Sequence, residues 1–393
     1  MARLRAYSLI LLTLYALAIV TWIALSHGLS DANSKPLGTD FASFYAAGSL
    51  VLDGRAASVY DMAAHYAREQ LFFGAHTPYY AWFYPPFFLL IAAPLAAFPY
   101  LPALAIWQFV TFAGYFAVMR AILLTAPLTR NQTVLGLLAT AAFPAVFINL
   151  GHGQNGFLTA ALLGGALIAL PRRPILAGVL FGLLAYKPQF GLVIPVALLA
   201  AGQWRSIGAA AMTVAALALG TAALFGLDIW TAFAASTELS RKMLLQDGDV
   251  GFEKLQSVFA AVRMWGGSVS FAYAMQGLVS AVVVGSVAWV WRRSRDDCAK
   301  AATLSAATAL ASPHILDYDL MILGPTIAFM TVAIARRGAK SYEISVLAAA
   351  WLVPLITRGI TGATGIPLAL VTMIALYGVI QYHAAKGDSP NWG

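Results

Sequence analysis

Charge is scarce. Asp, Glu, Lys and Arg together make up 10% of the 393 residues, where a soluble domain carries about 25%. That shortage excludes an ordinary water-soluble fold. Cysteine is almost missing too: Cys298 stands alone, which leaves no internal disulfide and no Cys-based metal or redox motif. Neither a Gly-rich nucleotide-binding loop nor a tightly spaced acidic metal pair is present, so no metal site and no cofactor are expected. What fills the chain is apolar. Hydrophobic residues reach 61% and the mean hydropathy is +0.77, which defines an all-α, polytopic membrane protein. The net charge of +8 does not point to nucleic acid; in such a chain it reflects Lys and Arg anchoring loops on the cytoplasmic side.

The apolar runs fall at roughly 7–26, 103–124, 133–150, 155–170, 174–186, 189–201, 205–226, 273–292, 300–312, 315–335, 343–357 and 366–383. They predict about twelve spans in a single membrane domain covering residues 1–393. Several are shorter than the ~20 residues a straight crossing needs. The shortest pair flanks Tyr186-Lys187-Pro188-Gln189. It reads as two half-depth helices whose polar connection dips into a cavity, because non-helical backbone survives in a bilayer only where protein or water lines it. A thirteenth run, 86–98, is bracketed by Pro85-Pro86, Pro94, Pro99 and Pro102 and reads as a re-entrant or interfacial element.

The basic residues set the orientation. With both termini in the cytoplasm and 86–98 not spanning, fifteen of the 24 Lys and Arg residues are cytoplasmic, and seven of the other nine fall in the two long loops, 27–85 and 227–272. The bias carries less weight in long loops. Twelve of the 16 acids fall on the other, extracytoplasmic side. A full span at 86–98 would invert every later loop and put the Arg-Arg pairs outside.

This topology gathers the polar clusters on one face. They are Thr39-Asp40 with the rest of the first loop, Gly151-His152-Gly153-Gln154-Asn155-Gly156, Lys187-Pro188-Gln189, and Ser312-Pro313-His314 with Asp317 and Asp319; Arg358 joins them. Apolar segments separate these clusters, so convergence on a single site is the economical explanation. A long first loop headed by an acid suits chemistry at the membrane surface, with Asp40 as the base. Each residue also has a plainer reading. Thr-Asp before an apolar run is a helix start signal, so Asp40 is equally a candidate N-cap; Gln154 and Asn155 would cap the 155–170 span, and Asp317 and Asp319 the 315–335 span. Lys187 is costly near mid-membrane unless it works there or snorkels. Tyr79-Tyr80-Ala81-Trp82-Phe83-Tyr84 suits either a sugar platform or an interfacial belt. In Ala57 to Phe73, Val59, Met62, Ala63, Tyr66 and Ala67 share one helical face and Asp61, His65, Arg68 and Glu69 the other, the pattern of an interfacial helix.

Thr39-Asp40-Phe41 with Tyr45-Ala46-Ala47-Gly48 and Val59-Tyr60, then Tyr84-Pro85-Pro86, resembles the opening of glycosyltransferase family 87. Gly153-Gln154-Asn155, Lys187-Pro188-Gln189 and Ser312-Pro313-His314-Ile315-Leu316-Asp317-Tyr318-Asp319 follow in the family's order, so the resemblance covers about residues 38 to 335. It implies a GT-C type helix bundle in the plasma (bacterial inner) membrane, with a site built from loops on the outer face. It also implies a polyprenyl-phosphate sugar as donor, mannose first among the hexoses, and a lipid or glycan acceptor. The family's loop acid is its proposed catalytic base, and Asp40 is the matching position. Members of known activity often carry a second His a few residues after the Ser-Pro, where this chain has Tyr318 and Asp319.

The residue types suit that chemistry in their own right. Displacement of a lipid phosphate at an anomeric carbon needs an activated acceptor hydroxyl, and an Asp with an ordinary pKa of about 3.9 is ionised and able to take the proton. Inversion puts that carboxylate on the acceptor side and donors on the leaving-group side. Lys187, His152, His314 and Arg358 are the candidate donors to phosphate, and Gln154, Asn155 and Gln189 would orient sugar hydroxyls. Tyr84 would stack on the sugar, and Asp317 and Asp319 would complete the site. A secondary transporter would show paired, broken spans in two corresponding halves, and no such repeat is present. A non-catalytic lipid-binding subunit would have no use for Asp40.

Overall fold

The computed structural model describes residues 2–246, 248 and 251–386. Among them the chain is helical, with no β-structure beyond three isolated bridges. α1 (Ala2–Ala24) precedes the first long loop, which contains α2 (Phe41–Leu52) and α3 (Met62–Phe73). Next come α4 (Leu89–Ala96), α5 (Tyr100–Leu123), α6 (Arg130–Ala141), α7 (Pro144–His152), α8 (Gly156–Ala169), α9 (Pro174–Leu183), α10 (Val193–Ala200) and α11 (Trp204–Phe225). The second long loop holds α12 (Asp228–Arg241) and α13 (Val258–Met264), and the chain ends in α14 (Val269–Arg293), α15 (Asp297–Leu310), α16 (Leu323–Arg337), α17 (Ser341–Thr364) and α18 (Leu368–Lys386).

Among the described residues, eight helical segments are long and apolar enough to cross a membrane: 2–24, 100–123, 130–152, 204–225, 269–293, 317–337, 341–364 and 368–385. The other four of the twelve predicted runs correspond to α8, α9, α10 and α15, helices of 8 to 14 residues. The 86–98 run is a short turn of 3₁₀ helix followed by α4, eight residues long and far below a crossing length.

Exposure on this bundle is reversed relative to a soluble protein. Leu14, Leu17, Val20 and Ile23 of α1 and Met212, Leu219 and Leu224 of α11 face outward, as side chains in hydrocarbon do. Close helix contacts depend on small residues. Gly178 and Gly182 of α9 lie one turn apart, and a Cβ at either would approach the backbone oxygens of Ser206 and Ala210 of α11 to 2.3 and 2.8 Å.

Two features of the first loop differ from the sequence reading. The 27–85 stretch is not uniformly polar surface: α2 is buried almost end to end, its Phe41, Phe44 and Leu50 embedded in the main core against α4 and α5. In α3 the polar face points inward. His65 and Glu69 are completely buried, while Met62 and Leu71 are exposed. The amphipathic pattern was real, but it could not say which face meets protein.

Candidate active site

The start of α2 frees Asp40 from capping. Its backbone is already helical (φ −69°, ψ −21°), so the carboxylate does not fold back on the first turn, and no side-chain cap bond forms. The helix's first donors are satisfied by main chain instead: Phe41 N–H donates to Gly38 O (2.6 Å), Ala42 N–H to Thr39 O (3.1 Å) and Ser43 N–H to Asp40 O (3.2 Å). The plain N-cap reading of Asp40 is therefore not what the fold uses. Its side chain remains 26% exposed, at a cavity of about 380 Å³.

Gly153 brings the second cluster to it. Between α7 and α8 the chain turns through a left-handed residue, Gly153 at φ +62°, and a Cβ there would meet Phe41 Cβ at 2.6 Å and Gly38 O at 3.0 Å. Only glycine allows the loop to sit against the α2 start. Gln154 then faces Asp40. Its Oε1 accepts from Tyr84 Oη (3.2 Å) and from Asn155 N–H (2.9 Å), which fixes the amide so that Nε2 donates to Asp40 Oδ2 (3.1 Å). His152 approaches the other oxygen, with Nδ1 3.8 Å from Oδ1 and 2.8 Å from Thr39 Oγ1. Burial keeps the Tyr84 phenol protonated well above the usual tyrosine range, so it acts as a donor.

The third cluster is the helix break after α9. A 3₁₀ turn at Leu184–Tyr186 ends at Lys187, which the following proline holds in an extended conformation (φ −118°, ψ 79°), and a second 3₁₀ turn leads into α10. Lys187 is 4% exposed, and its Nζ donates to Asp319 Oδ1 within a buried ion pair. It also lies 5.4 Å from the Tyr318 ring centre and 5.9 Å from that of Phe190. Lys187 neither snorkels nor stands alone: Asp319, 132 residues away, neutralises it. Asp319 performs its predicted capping task as well, since its Oδ2 accepts from Leu316 N–H (3.1 Å) at the start of the Asp317–Ile322 turn.

Of the predicted residues, Asp40, Tyr84, Gln154, Lys187, Gln189, His314 and Asp319 line this one cavity. The His314 Nε2 is buried without a hydrogen-bond partner, and burial lowers that imidazole's pKa, keeping it neutral near pH 7. His152, Asn155, Asp317 and Arg358 lie beside the cavity and do not line it. Asn155 is fully buried, with both amide atoms unpartnered. Asp317 faces Arg358 at 3.9 Å, a loose pair with the arginine half exposed. Among the described residues, no group of three or more His, Cys, Asp or Glu side chains is positioned to hold a metal ion.

Some lining residues went unread in the sequence. Ser43 lies one turn beyond Asp40, and α12 supplies Phe233, Ser236 and Thr237. α12 is anchored by ring contacts, Phe233 with Tyr60 of the first loop at 5.7 Å and Trp230 with Phe87 of the 86–98 element at 5.4 Å. The Trp230/Phe233 spacing on a helix-compatible stretch was the available signal, but it sits in a loop that topology alone treats as a connector.

Asp40 and Lys187 do not pair with each other. From Asp40 a hydrogen-bonded chain runs through Gln154 to Tyr84 in the cavity wall, while behind it the His152 and Tyr318 rings lie 6.0 Å apart. The cavity of this many-helix membrane protein thus holds an open carboxylate and an ion-paired amine among aromatic side chains. The chain belongs to glycosyltransferase family 87, whose family model matches residues 82–313, and it is therefore a membrane glycosyltransferase with a sugar donor and an acceptor. The matched stretch contains Tyr84, His152, Gln154, Asn155, Lys187 and Gln189 and ends before His314; Asp40 precedes it. No curated protein and no solved structure matches the chain.

Proposed function

We propose that this protein transfers a hexose, mannose first, from a polyprenyl-phosphate-linked donor to a lipid or glycan acceptor, with inversion and Asp40 as general base. The observation that carries the reading is the Asp40 carboxylate: released from helix capping, oriented by a fixed Gln154 amide, and open to the cavity. In the reaction the acceptor hydroxyl gives its proton to Asp40 as its oxygen bonds to the anomeric carbon. The bond from that carbon to the phosphate oxygen breaks, and the electron pair leaves with the lipid phosphate. Lys187 has three N–H donors and spends one on Asp319, so two remain for the phosphate. His314 adds a neutral donor beside them. Gln189 and the neighbouring hydroxyls orient the sugar, and Tyr84 stacks on it. The Thr39 hydroxyl, itself bonded to His152, donates to the second Asp40 oxygen (3.5 Å), and Asp317 with Arg358 shapes the rim. The lipid-linked sugar is a substrate, and the scheme uses no cofactor.

The finer architecture belongs to the same reading: about twelve spans of a GT-C type bundle in a plasma (bacterial inner) membrane, both termini cytoplasmic, and the 27–85 and 227–272 loops with the site at the extracytoplasmic face. The test is turnover of a radiolabelled polyprenyl-phosphate sugar by purified Asp40→Asn in nanodiscs, with melting recorded alongside. Asn keeps the size of the side chain and its contact with Gln154 but does not take a proton, so turnover should fall at least ~10²-fold with folding unchanged. Near-normal turnover in a well-folded variant would remove Asp40 as the base.

A further inference from the structure

A second cavity, of about 1040 Å³, lies at the far end of the bundle from the candidate active site. Helix directions establish the separation. α5 begins beside the site, where Trp107 Nε1 donates to Gly153 O (2.9 Å), and contributes Met119 and Leu123 to the second cavity near its end. α16 leaves the Asp317–Ile322 turn and contributes Ile327 and Ile334. α17 runs the opposite way, with Leu347 and Trp351 here and Arg358 toward the site.

The walls leave little for water to hold. Thr140 and Thr331 spend their hydroxyls on the carbonyls of their own helices, Gly136 O (2.9 Å) and Ile327 O (2.8 Å). Tyr115 Oη, buried without a hydrogen-bond partner, is one polar group on the wall, and a buried water needs two or more such partners. Left unfilled, this open-sided hollow would forfeit dispersion contacts along its walls, whereas an apolar chain entering from the bilayer would restore them. The lining carries a single charged residue, Arg3, at the end where α1 begins and where Ile334 and Ala339 also lie. Arg3 is exposed, and no ion pair or hydrogen bond engages it among the described residues. An occupant that suits both features is elongated and apolar, with an anion at one end. We propose that this cavity holds an acyl chain of one anionic glycerophospholipid from the leaflet opposite the active site, with its phosphate at Arg3. The site is separate from donor and acceptor binding and would tie the enzyme's stability to the lipid composition of that leaflet.

The experiment uses the full chain in nanodiscs of equal phosphatidylglycerol and phosphatidylcholine, followed by native mass spectrometry of the released protein. One phosphatidylglycerol should stay bound to the wild type. Ala348→Trp, which fills the cavity from α17, should abolish that retention, and Ala139→Phe fills it from α6 should the first variant fail to fold. Arg3→Gln should keep a lipid but lose about fivefold in preference for phosphatidylglycerol, as expected for one basic residue at an anionic surface. Retention undiminished in the filled variants would mean the lipid sits elsewhere, and equal retention of phosphatidylcholine by the wild type would remove the charge recognition. Displacement by added polyprenyl phosphate would give the cavity to the donor's chain, and a dimer dissolved by Ala348→Trp would give it to a second copy. Any of these four results overturns the proposal.

Discussion

Replacing Lys187 alone cannot separate donor binding from folding, because Lys187 is one half of a buried ion pair. In Lys187→Met the Asp319 carboxylate would keep only the Leu316 N–H as a partner, inside a cavity wall where both pair members are nearly inaccessible. Removing one partner of such a pair typically destabilises by about 3–5 kcal/mol. The contacts of the ammonium with Tyr318 and Phe190 would be lost as well, at roughly 0.5–1 kcal/mol each. The informative variant is therefore Lys187→Met/Asp319→Leu. Exchanging both charges for apolar groups of similar volume is neutral or even stabilising by about 1–4 kcal/mol, against about 1–3 kcal/mol for the buried Leu316 N–H that loses its acceptor, so the double variant should regain much of the melting temperature that the single one loses. Donor affinity is then measured on a folded protein, by competition with polyprenyl phosphate. If the two spare Lys187 donors bind the leaving phosphate, the double variant should bind more weakly by about 1.5–3 kcal/mol, the worth of a charge-assisted hydrogen bond, or roughly 10- to 100-fold. Lys187→Arg should not restore it, since a planar fork does not replace a compact ammonium. A stable double variant with wild-type donor affinity would make Lys187 a structural residue and refute the phosphate assignment. A single variant that melts like the wild type would refute the energetic argument.

Glu69 gives a pH test of the first loop: burial raises its carboxyl above the usual range, with His65 opposing. A folded-state pKa above the unfolded one means that ionisation costs stability, a cost absent at acid pH and growing as pH rises through the folded value. Glu69→Gln keeps an acceptor for Tyr80 N–H, so its melting advantage over the wild type should be larger near neutral pH than near pH 5 when measured by thermal shift; an equal advantage at both would contradict the assignment. For topology, the native thiol is a poor reporter, because Cys298 is buried and its Sγ lies 3.6 Å from Arg336 Nη1. In a Cys298→Ala background, an impermeant maleimide should label Ala75→Cys in intact cells and Ser341→Cys only after permeabilisation, both positions being exposed; the reverse pattern would invert the protein and move the site to the other face.

How much of this was legible in the sequence depends on whether a feature is local. The apolar runs from 7–26 to 366–383 each fall on helix, because an amide backbone in hydrocarbon has few other ways to bond and the runs state where hydrocarbon is. The helix break around Lys187 and the short helix within 86–98 were readable for the same reason, since proline spacing and run length are local signals. The Lys187–Asp319 pair was not readable as a pair: nothing in either motif states that two segments 132 residues apart meet. The inward turn of His65 and Glu69 was equally hidden, because a helical wheel divides faces without naming what covers them. α12 was missed as a wall because nothing local in Asp228–Arg241 states which surface its Trp230 and Phe233 pack on.

Each helix break is followed or preceded directly by a residue that lines the cavity (Gln154, Lys187 and His314), and the bilayer gives the reason. Gly153 ends α7, Pro188 interrupts the passage from α9 to α10, and the stretch after α15 containing Pro313 precedes the Asp317–Ile322 turn. Each break releases backbone donors and acceptors that lipid cannot satisfy, so each has to be enclosed by protein. Part of the enclosure is backbone and side-chain bonding, as with Gln154 Oε1 accepting Asn155 N–H and Asp319 Oδ2 accepting Leu316 N–H. The rest is a shared polar cavity, which costs least when the breaks pool it. Residues that satisfy the broken backbone are thereby brought to the cavity, and under the proposed reaction the same side chains would carry structural and chemical duties together. That overlap explains why Asp40 is the more decisive residue to mutate. Main-chain bonds from Gly38, Thr39 and Asp40 itself already complete its helix start, so its carboxylate can be altered at little cost to the fold, whereas Lys187 and Asp319 can be changed safely only together.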